Sequence, residues 1–292
     1  MSLRDEIIIG HRFRLMRKIG SGNSGSVYFS IDISNGQEIA MKIANGTHLE
    51  KEKQRYSAFI KDYQQQTNGC SPKGFPDMIW TGEHHHHYCI AYEFLGPTLE
   101  DLFEYCDRKF SYHTVFFLGE QILDRLQSIH QTGYTHGSIK PMNIVMGQKK
   151  YGRTVFLIDF GSMYPTNTPR NHTSTSLWKS INRHKGFDHG MRDDLESWLY
   201  LLAYFLHGSL LWEFSTNDIL FKKENEAPKW MDELKLGALW LYVRNLKVDT
   251  LPDYRYMRKL LFKIRPQSNP VGPQKLDWEV KPYKYLEAKK DE

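Results

Sequence analysis

His136-Gly137-Ser138-Ile139-Lys140-Pro141-Met142-Asn143 is a short polar segment, and Asp159-Phe160-Gly161 follows sixteen residues after its last member. Just before that triplet, Thr154 to Ile158 reads as a continuous apolar strand that delivers Asp159 at its end. A carboxylate at the end of a buried strand is well placed to hold a metal ion bridging phosphates, because magnesium takes one or two carboxylates together with phosphate oxygens. The competing explanation is a plain turn residue. An Asp-Phe-Gly triplet alone is common by chance, whereas one that follows a His-x-x-x-Lys-x-x-Asn segment and a strand is highly specific.

Towards the N-terminus, Arg12 to Ile19 leads into Gly20-Ser21-Gly22-Asn23-Ser24-Gly25-Ser26-Val27, the pattern Gly-x-Gly-x-x-Gly-x-Val in full. Glycines there let backbone N–H groups close over phosphates, since no side chain blocks the approach. The pattern is weak by itself and gains from its context. Val27 to Ile33 and Gln37 to Ile43 read as strands joined across Ser34-Asn35-Gly36, and Asn-Gly is a strong hairpin signal. Along the second strand Ile39, Met41 and Ile43 share one face, which puts Ala40 and Lys42 on the other. Lys42 is therefore the candidate phosphate-binding lysine, against the alternative of an exposed edge-strand lysine. In the charged, helix-forming stretch Thr47 to Tyr63, Glu52 can pair with Lys42; Glu50 is the rival, and a solvated helix face is the plain alternative for either.

His84-His85-His86-His87 invites a metal hypothesis, but adjacent side chains do not converge, and the run is expected to be a hairpin loop between strands Asp77 to Trp80 and Tyr88 to Tyr92. Glu93-Phe94-Leu95-Gly96-Pro97 breaks the strand and separates a strand-rich front from a helix-rich back. Thr98 to Tyr105 reads as a short helix with Thr98 and Asp101 placed as a capping box. Ser111 opens a longer helix in which Val115, Leu118, Ile122, Leu126 and Ile129 form a core stripe, with Gly133 just past its end.

The chain has 292 residues, of which 40% are apolar and 25% charged, an ordinary globular composition. The net charge of +5 comes from scattered Lys and Arg, which suits a solvated surface with a preference for acidic peptides and does not argue for nucleic acid. Three cysteines, Cys70, Cys89 and Cys106, lack metal-ligand spacing and are odd in number, so neither a disulfide framework nor a zinc site is expected. Residues 1–14 show no secretory signal, and the longest apolar stretch, Trp198 to Leu206, is too short for a bilayer and reads as a buried helix. The glycosylation-like triplets Asn45-Gly46-Thr47 and Asn171-His172-Thr173 would matter only after export. A soluble intracellular protein, cytoplasmic or nuclear, is expected, with no membrane partner.

Taken in order, the glycine loop, Lys42, the polar segment and Asp-Phe-Gly resemble the eukaryotic protein kinases. Leu95-Gly96-Pro97-Thr98-Leu99-Glu100-Asp101-Leu102-Phe103, Arg108-Lys109-Phe110-Ser111, Ser180-Ile181-Asn182, Arg192-Asp193-Asp194-Leu195-Glu196-Ser197, Gly208-Ser209-Leu210-Leu211-Trp212, Pro252-Asp253-Tyr254 and Leu276-Asp277-Trp278 are similar to signatures of the casein kinase I family. The resemblance implies a two-lobed α+β fold over about 10–278: a small, mainly antiparallel N-lobe with one helix (about 10–95), a larger helical C-lobe (about 96–278), and a short polar tail, 279–292. It implies ATP and Mg2+ as ligands. Gly20, Gly22, Gly25, Val27 and Ala40 would line the nucleotide, with Lys42 on its phosphates and paired with Glu52. Glu93 to Leu95 would bind adenine, with Tyr92 at the back of the pocket. Lys140 would steady the transferred group, and Asn143 and Asp159 would hold magnesium.

Departures from the family gather on the transfer machinery. Ser138 stands where an Asp accepts the proton of the substrate hydroxyl, Gly137 replaces the usual Arg, and Ser24 replaces an aromatic at the loop tip. His-Gly is similar to the vaccinia-related kinases, which keep the Asp. The segment Ser162 to Lys179 is shorter than the family's activation segment, and Leu177 occupies the place of an Arg that helps bind acidic or phosphorylated substrates. General-base catalysis contributes roughly 10²–10⁴-fold, so its loss would leave positioning intact and lower the rate by about that factor. The expectation is a nucleotide-binding pseudokinase acting through an unidentified protein partner. The alternatives are a slow but genuine Ser/Thr kinase with a protein substrate, and a pure interaction surface without nucleotide.

Overall fold

Ile39 and Met41 are fully buried with Ile43 packed beside them, and this alternation makes a strand of Glu38–Asn45 (β4). Before it come Ile8–Ile9 (β1), Phe13–Gly22 (β2) and Gly25–Asp32 (β3); after it come the helix Thr47–Gln66 (α1) and the strands Met78–His84 (β5) and His87–Glu93 (β6). All neighbours pair antiparallel in the order β1-β2-β3-β4-β6-β5. One face of the sheet closes over Ile9, Phe13, Ile39, Met41, Cys89 and Ala91.

The computed structural model describes residues 7–22, 24–45, 47–166, 168, 176–215, 217–264 and 274–281. The chain divides into two compact units, one of residues 1–97, 125–138 and 143–166 and the other of 98–124, 139–142 and 167–292. The first contains the sheet and α1. It also holds two short strand pairs from later in the chain: Tyr134–Thr135 (β7) pairs with Tyr164–Pro165 (β10), and Ile144–Met146 (β8) pairs with Val155–Leu157 (β9).

The second unit is helical. Leu99–Tyr105 (α2) carries the expected capping box, Thr98 accepting from Asp101 N while the Asp101 carboxylate accepts from Thr98 N. Tyr112–Gln131 (α3) follows, its residues from Arg125 onward grouping with the first unit, then Ile181–His184 (α4), Met191–His207 (α5), Ile219–Asn225 (α6), Ala227–Glu233 (α7), Gly237–Arg244 (α8), Tyr254–Ile264 (α9) and Asp277–Val280 (α10). Within this unit α5 is the buried axis: every residue from Asp193 to Phe205 is buried, and Trp198 donates through Nε1 to the Gly119 carbonyl at 3.1 Å.

Two local bounds are narrower than expected. The strand read over Thr154 to Ile158 is only Val155–Leu157, because its partner β8 offers three residues to pair with. The four histidines do form a hairpin, with only two of them in its loop. β5 runs to His84 and β6 starts at His87, leaving His85 and His86 at φ +45 and +67, the two left-handed positions that a two-residue hairpin requires. Among the described residues no group of three or more His, Cys, Asp or Glu is arranged to hold a metal, and no helix is long and apolar enough to cross a membrane. Gly46, Asn171 to Thr173 and much of the segment Ser162 to Lys179 lie outside the described residues.

Candidate functional site

β4 presents Lys42 to α1, where Glu52 lies on the buried stripe Leu49, Glu52, Tyr56 and Phe59. Lys42 Nζ sits 2.6 Å from Glu52 Oε2 and 2.8 Å from Asp159 Oδ1. Lys42 and Glu52 are buried, so the contact is a shielded ion pair rather than a surface one. Burial pulls the Lys42 ammonium towards neutrality, but the charges of Glu52 and Asp159 outweigh it and its pKa rises. Tyr92, across the ladder from Ala40, donates its hydroxyl to Glu52 Oε1 at 3.3 Å. Lys42 thus bridges two carboxylates, that of Glu52 on α1 and that of Asp159. Glu50, the rival of Glu52, is exposed in the first turn of α1.

The β8–β9 hairpin brings the two proposed metal-binding positions together. Ile144 lies opposite Leu157, and Ile158 N donates to the Asn143 carbonyl at 3.0 Å, so Asn143 stands just before one strand and Asp159 just after the other. Asp159 takes a left-handed backbone, φ +68, which turns its carboxylate back to Lys42. Asn143 donates through Nδ2 to the Ser138 carbonyl at 2.9 Å and to Ser138 Oγ at 3.0 Å, leaving its amide oxygen as the atom that can meet a cation. The donor set of Asn143 and Asp159, all oxygen, fits magnesium.

Ser138 is held on its own side by its N–H, which donates to His136 Nδ1 at 3.3 Å. The residue before it, Gly137, has φ +75, and a Cβ there would come within 2.5 Å of the Ser162 carbonyl oxygen. The place of the usual Arg is thus closed by backbone, not merely vacated. Lys140 is half-buried in the four-residue stretch 139–142 that groups with the helical unit.

The glycine pattern forms the β2–β3 hairpin, with Gly20 opposite Val27 and Gly22 opposite Gly25. Gly25 is required by its fold, since φ is +119 and a Cβ would lie 2.5 Å from the Ile43 carbonyl oxygen. Gly22 is different: a Cβ there would meet nothing within 4 Å. Packing does not demand glycine at that position, but a ligand lying close to the backbone would. Downstream, Asp77 N donates to Glu93 Oε1 at 3.0 Å, Gly96 N to the Met146 carbonyl at 2.8 Å, and Gln148 Nε2 to the Leu95 carbonyl at 2.9 Å. Burial raises the Glu93 pKa.

Several residues of this arrangement escape a pattern search. Tyr56 stacks on Phe160 with ring centroids 4.0 Å apart and planes 15° from parallel, and His136 meets the same Phe160 edge-on at 5.8 Å. Arg55 donates to the Gly161 carbonyl and to the Tyr164 hydroxyl. Gln148 engages Leu95 from far along the chain. Tyr56 had a signal, one helical turn beyond Glu52 on the same stripe; Gln148 had none. A family model described as the protein kinase domain matches residues 13–235, more than half of the chain.

Proposed function

The chain belongs to the protein kinase family, and from that premise we propose that it is a casein kinase I-like member that grips Mg-ATP but has lost efficient phosphoryl transfer, serving as a scaffold or allosteric partner of another protein. The α+β architecture, an antiparallel sheet unit and a helical unit, is that of the family. The observation that carries the proposal is the contrast between an assembled Lys42–Glu52–Asp159 cluster and Ser138 at the base position.

Gly20, Gly22, Gly25 and Val27 would cover the phosphates, with Ala40 and Tyr92 lining the pocket and Glu93 and Leu95 receiving adenine through their backbone. Lys42, steered by Glu52, would orient the phosphates; Asn143 and Asp159 would hold magnesium, and Lys140 would steady the terminal group. Bound magnesium would neutralise phosphate charge. At Ser138 a neutral alcohol, accepting a hydrogen bond from Asn143, stands where a carboxylate takes the proton of the acceptor hydroxyl. Its loss lowers the rate by roughly 10²–10⁴-fold. The casein kinase I signatures around Leu95 to Phe103 and Arg192 to Ser197 support the subfamily, and a reducing cytoplasmic or nuclear setting suits the three free thiols.

Mg-ATP should raise the unfolding temperature, because a ligand of the folded state stabilises it by RT ln(1 + [L]/Kd). No shift at millimolar Mg-ATP would favour an interaction surface without nucleotide. In a radiolabelled transfer assay the wild type should be near background, and Ser138→Asp should raise transfer. An ordinary rate in the wild type, abolished by Asp159→Asn, would instead establish a working kinase.

A further inference from the structure

We propose that Arg55 is a built-in positioning residue that locks the Asp159–Gly161 turn against α1, so that Asp159 faces Lys42 before any nucleotide arrives; this rests on the nucleotide-site reading above. Arg55 lies three residues beyond Glu52 and therefore on a neighbouring part of the same helical face. Its Nη1 donates to the Gly161 carbonyl and its Nη2 to the Tyr164 hydroxyl, while the guanidinium carbon lies 3.7 Å from the centroid of the Tyr164 ring.

Tyr164 is a fixed anchor. It sits opposite Thr135 in the β10–β7 pair, and Thr166 N donates to the Gly133 carbonyl at 2.8 Å just beyond it. The next residue of α1, Tyr56, stacks on Phe160 and donates its hydroxyl to the Pro76 carbonyl at 2.6 Å. Glu52, Arg55 and Tyr56 thus hold three consecutive points of the turn: Asp159 through Lys42, the Phe160 ring, and the Gly161 carbonyl. Of the three, only Arg55 bonds directly to the backbone of the turn. Rotating the Gly161 peptide would break that bond and swing the segment that carries Asp159. A guanidinium is charged at any physiological pH, so this lock needs neither a phosphate on the following segment nor a partner to switch it on.

The test uses the full chain, wild type against Arg55→Ala, Arg55→Lys and Tyr164→Phe. Amide hydrogen exchange without nucleotide should speed up over residues 160–165 in Arg55→Ala while β5 and β6 keep wild-type protection. ATP affinity is then measured with magnesium and with EDTA. Loss of a charge-assisted hydrogen bond should weaken Mg-ATP binding by about tenfold or more, with a smaller loss in EDTA, because the misplaced group is the metal-holding Asp159. Arg55→Lys, which keeps one donor but not the fork, and Tyr164→Phe, which keeps the ring but not the acceptor, should fall between. Wild-type exchange and a wild-type ratio of the two affinities in Arg55→Ala would overturn the lock. If the wild type itself ignores Mg-ATP, the nucleotide reading fails, and exchange alone judges the lock: faster exchange supports it and unchanged exchange rejects it.

Discussion

At the residue scale, the arrangement turns on charges that cannot be removed singly. Glu52 is fully buried and Lys42 is 6% exposed, so Lys42→Met strands a carboxylate in a desolvated site. Breaking a buried pair from one side costs about 3–5 kcal/mol, and urea unfolding of Lys42→Met should show a loss of that order. The backbone at Gly137 sets a second limit. Restoring the family's Arg there would force a residue with a Cβ to φ +75 and drive that Cβ to 2.5 Å from the Ser162 carbonyl oxygen. A non-glycine residue in that region costs roughly 1–3 kcal/mol before the clash is counted, so Gly137→Arg should lower the melting temperature and should not join Ser138→Asp in recovering transfer.

At the element scale, the β2–β3 hairpin separates what folding needs from what the proposed nucleotide would need. Gly25→Ala should destabilise the protein, because φ +119 and the Ile43 carbonyl leave no room, whereas Gly22→Ala should fold with near wild-type stability and weaken the Mg-ATP shift. Thermal melts of both variants with and without nucleotide check the split. The far end of the same hairpin is pinned by charge. Arg12 donates to Asp32 at 2.6 Å, and Asp32 also accepts from Ser34 N at 3.0 Å and Ser34 Oγ at 2.6 Å. Arg12 foremost, aided by Ser34, holds the Asp32 carboxyl down at about 2, below its ordinary 3.8. A carboxylate with a depressed folded-state pKa contributes stability in full above its unfolded value and loses it as the pH falls through the folded one. Arg12→Ala should therefore lose stability at neutral pH and show a weaker further decline between about pH 4 and pH 2, followed by acid titration of the β-rich circular dichroism signal.

At the scale of the whole molecule, the described residues after the matched 13–235, namely 236–264 and 274–281, belong to the helical unit. The Asp277 carboxylate accepts from Ser111 N at 2.7 Å and Ser111 Oγ at 3.0 Å, at the start of α3, and Asp277 N donates to Thr114 Oγ1 at 3.1 Å. Trp278 packs edge-on against Phe110 at 5.4 Å, and Lys281 bonds the Tyr105 carbonyl and Asp107. Asp277→Ala removes a cap supplied from 166 residues away and should cost about 1 kcal/mol in urea unfolding. Leu276-Asp277-Trp278 stands out in the sequence only by resemblance, and nothing local in it shows these contacts. What the amino-acid order determined by itself was the kind of fold, with its hairpins and helix stripes, and the residue types at the proposed site: the glycine loop, Lys42, Asn143, Asp159 and Ser138. These depend on residue type at short spacing, where backbone geometry leaves few options. Only the tertiary structure decided that Glu52 rather than Glu50 meets Lys42, that the place of an Arg at 137 is filled by backbone, and that Arg55 and Asp277 reach distant segments. Those outcomes depend on side chains far apart in sequence arriving within hydrogen-bond reach, and no local spacing encodes such a distance.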